Sequence, residues 1–112
     1  MRLFVTCQFE GFHCWPDAPE EHKYLRDLHR HMFHVRVEIE TTSDRQVEFI
    51  ELKRAVEENL RFWHSTQDVR TWSCETWARH IFNSFSGVVL VSVSEDDENG
   101  AIVTAADCPE RA

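Results

Sequence analysis

A chain of 112 residues with 42% hydrophobic content has room for one domain and a modest core, so residues 1–112 read as a single folding unit. A formal charge of −8 argues against nucleic acid and anionic membranes as partners, because both require a basic face. No apolar run approaches the length of a membrane span. The four cysteines, Cys7, Cys14, Cys74 and Cys108, form no CxxC pair, and the chain enters a strand pattern by Leu3 without a leader segment. Reduced thiols in a cytoplasmic protein are therefore expected rather than a disulfide framework.

Residues 3–12 alternate as a first strand. Leu3, Val5, Cys7 and Phe9 share its apolar row, and His13 continues that row. Residues 14–28 carry Pro16, Pro19 and many charges, a long connection of the kind that usually has a function. Residues 32–40 form a second strand, with Phe33, Val35, Val37 and Ile39 on one side and Arg36, Glu38 and Glu40 facing water. His29 and His31 lead into the apolar row of this strand. Two imidazoles two residues apart project to one side, and a third from a neighbouring strand completes a set that suits Zn²⁺ with its fourth position open. The spacing also permits three histidines making ordinary hydrogen bonds in a hydrated core; three in phase favour the metal.

Residues 41–46 are polar turn material, and from Val47 the period becomes helical. Phe49, Leu52, Val56, Leu60 and Trp63 make one stripe. A polar connection leads to a second helix, with Ser73 as its N-cap and Glu75 in the first turn, where the helix dipole favours a carboxylate. Cys74, Trp77, Ala78, Ile81, Phe82 and Phe85 form its stripe, and Gly87 ends it. Residues 88–94 and 101–105 read as third and fourth strands, joined by the acidic turn Asp96–Gly100, in which Asn99-Gly100 is a hairpin signal. Glu95 follows Val89, Val91 and Val93 in phase; a carboxylate there either turns into solvent or anchors a polar ligand. The order β-β-α-α-β-β gives an α+β layer with two helices over one sheet face. Its sheet edges, together with eight Phe and four Trp, point to subunit association.

Five segments carry a resemblance. Phe9-Glu10-Gly11-Phe12-His13 and Leu28-His29-Arg30-His31-Met32-Phe33 look like the segments that supply the zinc histidines of the 6-pyruvoyl-tetrahydropterin synthase family, which includes a 6-carboxy-tetrahydropterin synthase branch. Val47-Glu48-Phe49-Ile50-Glu51-Leu52-Lys53 resembles the start of that family's first helix, and Ser73-Cys74-Glu75 the Thr-x-Glu opening its second. Val91-Ser92-Val93-Ser94-Glu95 resembles the strand whose terminal Glu holds the pterin ring. The likeness spans Phe9 to Thr104. It implies the tunnelling fold (T-fold), in which three sheets close into a barrel and two trimers stack, with active sites at subunit interfaces. It further implies Zn²⁺ on His13, His29 and His31, and a pterin-type small molecule bound by Glu95 and Glu75. The family's reaction uses zinc as a Lewis acid on 7,8-dihydroneopterin triphosphate, while a cysteine assisted by an Asp-His pair takes a proton.

The chain departs from that pattern near the base. Where the family has its cysteine, a few residues before its His-x-His pair, this chain reads Tyr24-Leu25-Arg26-Asp27. Cys14 is the thiol nearest the metal residues in sequence, and Asp27 and Glu21 are nearby carboxylates. His64 stands near the place of the family's histidine, but Trp63 precedes it where the Asp belongs, and Arg30 replaces the glycine between the two ligands. Two expectations result. One is a zinc-dependent 6-pyruvoyl/6-carboxy-tetrahydropterin synthase-like lyase with Cys14 and His64 as candidate catalytic residues. The other is a non-catalytic relative that keeps zinc and pterin in a binding or regulatory role.

Overall fold

Strict two-residue alternation makes the first two strands long. In the computed structural model, which describes residues 1–109, β1 (Arg2–His13) and β2 (His29–Glu40) pair antiparallel from Arg2 opposite Glu40 to His13 opposite His29. β2 thus begins at the first histidine, three residues before the alternation of its apolar row is evident. The helices α1 (Phe49–Thr66) and α2 (Cys74–Ser84) follow, and then β3 (Val88–Glu95) and β4 (Asn99–Thr104). The four strands form one antiparallel sheet in the order β1-β2-β3-β4. α1 lies over β1, and α2 over β3 and β4. The expected α+β class and β-β-α-α-β-β order are those observed.

The core lies between the sheet and the helices. Val5, Cys7, Phe33, Val35, Val37, Val91, Val93 and Val103 meet Val56, Leu60, Trp77, Ala78, Ile81 and Phe82 there. Burying each large apolar side chain stabilises the fold by about 1.5–3 kcal/mol. Helix caps fix where the helices begin. The Glu48 carboxylate accepts from the Ile50 N–H at 2.9 Å, and Ser73 Oγ accepts from the Thr76 N–H at 3.1 Å, as its N-cap role requires. Among the described residues, no helix is long and apolar enough to cross a membrane.

Two local features differ from the sequence reading. The connection between β1 and β2 contains a 3₁₀ segment, Glu20–Leu25, entered through Pro19. The β3–β4 turn falls within the expected stretch Asp96–Gly100, but Asp96 and Asp97 make it rather than Asn99-Gly100. Both aspartates have positive φ, 55° and 60°, and the Glu98 N–H donates to the Glu95 carbonyl at 3.0 Å. Asp tolerates this left-handed region better than most residues. Gly100 sits in β4 opposite Ser94, where a Cβ would collide with the Val93 carbonyl. The glycine answers a close backbone approach rather than a turn.

The β1–β2 ribbon continues beyond the final ladder pair of β2 and β3, Phe33 opposite Glu95. His13, His29 and His31 stand on this overhang. Gly11 faces His31 across the ribbon, and a Cβ on it would lie 2.7 Å from the Phe33 ring. Its absence lets the Phe9 and Phe33 rings stack with centroids 5.0 Å apart.

Candidate metal centre

Each of the three histidines has its Nδ1 engaged by a different acceptor. His13 Nδ1–H donates to the Trp72 carbonyl at 3.1 Å, His29 Nδ1–H to the Asp27 carbonyl at 2.9 Å, and His31 Nδ1–H to the Asp96 carboxylate at 2.7 Å. Those oxygens only accept, so Nδ1 carries the proton in all three rings and a neutral imidazole presents Nε2 as a lone pair. One ligand atom from each of His13, His29, His31 and Glu95 lies within 4.8 Å of the others, and all four side chains are half-buried. Tetrahedral zinc with bonds of about 2.0–2.1 Å needs neighbouring ligand atoms roughly 3.3 Å apart. This His/His/His/Glu group can hold a metal ion.

The charge around His31 points the same way. Glu95 Oε2 is 2.6 Å from His31 Nε2 and 3.7 Å from His13 Nε2. A neutral imidazole has one N–H, and that of His31 is already given to Asp96. The contact with Glu95 therefore requires a second positive element, either a second proton or a metal ion. Burial pushes the pKa of His13 down, with the Trp72 carbonyl and Glu95 opposing and the two neighbouring histidines adding to the depression. His13 is thus held in the neutral, ligating form at neutral pH. The hydrogen bonds from His31 and from the Met32 N–H hold the Asp96 carboxyl below the usual range.

The supports of the site come from three places in the chain. Trp72, in the α1–α2 connection, is fixed by an aromatic cluster. His80 stacks on it at 4.2 Å, and Trp77 and Trp63 pack at 4.7 and 5.6 Å. Asp27 ends the long connection, and Asp96 opens the β3–β4 turn. Glu95 reaches the group because it lies opposite Phe33, which is two residues from His31 on the same sheet face.

A cavity of about 420 Å³ opens beside the metal group, with Cys14, Trp15, Trp72, Glu75 and Glu95 among its walls. That size accommodates a bicyclic ring with a side chain. Cys14 reaches this cavity because β1 ends at His13, so strand alternation no longer applies; its N–H donates to the Arg70 carbonyl at 2.8 Å. Glu75 contributes from the first turn of α2. His64 lies elsewhere. It lines a second cavity of about 330 Å³ with Phe9 and Trp77, which shares only His13 and not the other three metal residues. Its Nδ1–H donates to the Leu60 carbonyl at 2.7 Å. Asp27 offers its carbonyl to His29, Glu21 is exposed, and Arg30 pairs with Glu10 at 2.8 Å on the exposed face. Asp96 and the Trp72 carbonyl were not legible as site groups. Adjacency to Glu95 is the one signal that points to Asp96, and a main-chain carbonyl carries none.

The thiols separate by environment. Burial, reinforced by Glu57, raises the Cys7 thiol to about 11. Burial together with Glu95 and Glu75 raises that of Cys74 to about 12. At pH 8 the Cys74 thiolate fraction is then on the order of 10⁻⁴. Iodoacetamide at pH 8 should label Cys14 first, with Cys7 and Cys74 reacting only after denaturation, as peptide mass mapping will report. Compared with known proteins, the chain matches no family model and no curated sequence, so the geometry of the site carries the functional argument.

Proposed function

We propose that this protein is a zinc-dependent, 6-pyruvoyl/6-carboxy-tetrahydropterin synthase-like lyase acting on a dihydroneopterin triphosphate-type substrate. The observation that carries the reading is the convergence of three Nδ1-anchored histidines and Glu95 at the mouth of the larger cavity. The donor set of three imidazoles, His13, His29 and His31, fits zinc with its fourth position open. Bound zinc would supply Lewis acidity toward the oxygens of the substrate side chain. Glu95 and Glu75 accept the guanidine-like N–H groups of the ring. Cys14 is the thiol in the same cavity wall and takes the place of the base; His64, the other candidate catalytic residue, lines the adjoining cavity that shares His13. β1 and β4 are the sheet's edge strands, and pairing them between copies forms the T-fold barrel as a trimer or hexamer. Exposed Phe4, Phe12, Trp15 and Ile102 give such contacts apolar area. The unpaired thiols of Cys7, Cys14 and Cys74 suit a cytoplasmic location.

A second reading keeps the zinc and the pterin without turnover. It is favoured by the stretch before His29, where residues 24–27 hold no thiol. General acid–base help is worth roughly 10²–10⁴ in rate. Incubating the zinc-loaded protein with 7,8-dihydroneopterin triphosphate, and following both pterin products and acetaldehyde, tests the two. Product formation is the expected result. Tight binding without product establishes the second reading, and neither binding nor zinc uptake overturns both.

A further inference from the structure

Asp96 binds two consecutive residues of β2 at once. Its N–H donates to the Met32 carbonyl at 2.7 Å, its Oδ1 accepts from the Met32 N–H at 3.0 Å, and its Oδ2 accepts from His31 Nδ1–H at 2.7 Å. It does so from a left-handed backbone conformation, φ 55°, at the turn where the chain leaves β3 beside β2. His13 and His29, by contrast, give their Nδ1 protons to neutral main-chain carbonyls. A hydrogen bond to a carboxylate is roughly twice as strong as one to a neutral acceptor, and it pushes electron density toward the opposite ring nitrogen.

We infer that Asp96 is a positioning residue that makes His31 the strongest donor of the three histidines and sets the metal affinity of the site. The inference rests on the metal reading proposed above and extends it to a residue that never touches the ion. Both carboxylate oxygens are needed. Asparagine has the same shape but one acceptor oxygen, so either orientation of its amide places an NH₂ against one of the two N–H donors. Glycine suits the left-handed backbone and removes both acceptors.

The test is zinc affinity by competition with a chromogenic chelator, on wild-type protein, Asp96→Asn and Asp96→Gly, with thermal melts of each metal-free protein. Both variants should bind zinc 10–100-fold more weakly, the range found when such outer carboxylates are lost. The downfield His31 Nδ1–H proton resonance of the zinc-loaded protein should vanish in Asp96→Gly. Variants that melt at lower temperature but bind zinc within twofold of wild type would reduce Asp96 to a structural turn residue and overturn the inference. If Asp96→Gly does not fold, the isosteric Asp96→Asn alone decides it. Wild-type protein that takes up no zinc would overturn the metal reading itself, an outcome distinct from equal affinity across the three proteins.

Discussion

His31→Ala should leave the protein folded and unable to retain zinc. His31 joins the other histidines to Glu95: its ring lies 5.2 Å from that of His13 and 5.0 Å from that of His29, and its Nε2 is 2.6 Å from Glu95 Oε2. Zinc binding at structural protein sites is worth about 10–16 kcal/mol, so one histidine of three accounts for roughly 3–5 kcal/mol, or 10²–10⁴ in affinity. The fold should tolerate the change, because His31 is only half-buried and stands beyond the last ladder pair of β2 and β3, outside the core. Elemental analysis of protein purified without added zinc should find about one ion per chain in wild type and less than a tenth of that in the variant, with unchanged far-ultraviolet circular dichroism. Equal zinc in both proteins would place the ion elsewhere or deny it.

Sequence alternation reached the metal trio because a strand imposes a period of two whatever its neighbours do. His13, His29 and His31 needed only that period and the pairing of two consecutive strands. The helices were legible for the same reason, since Val56 and Leu60 in α1 and Trp77, Ala78 and Ile81 in α2 repeat at helical spacing. Glu95 was placed in phase, but its membership in the metal group depends on the β2–β3 register, which sets it opposite Phe33. Nothing local encodes that register. The acidic turn was placed in the right stretch, but the generic Asn-Gly signal pointed to its wrong end: Gly100 serves the Val93 carbonyl and the aspartates bend the chain. Neighbours inside a strand face opposite ways, so Cys14 could join His13 only if the chain left the strand there, and β1 does end at His13. The acceptors that orient His13 and His29 are carbonyls, whose positions follow from the backbone path and not from the identity of Trp72 or Asp27.

Glu95→Gln should separate ring binding from metal binding. The two carboxylate oxygens of Glu95 face different groups: Oε2 lies against His31, and Oε1 is 4.0 Å from the buried Cys74 thiol, which donates to it weakly. A charged acceptor for a guanidine-like edge contributes about 1.5–3 kcal/mol, and glutamine replaces half of that acceptor with a donor facing other donors. Pterin affinity, measured by calorimetry on the zinc-loaded protein with a dihydropterin, should fall roughly 10–150-fold. Zinc content should stay near one ion per chain, because three histidines are a sufficient protein ligand set for a site that keeps its fourth position open. The opposite pattern, with zinc weakened and pterin binding unchanged or tighter, would mean that Glu95 serves the ion and obstructs the ring. Since Gln keeps the volume of Glu and the site lies on the overhang of β1 and β2, loss of the fold does not confuse the two outcomes.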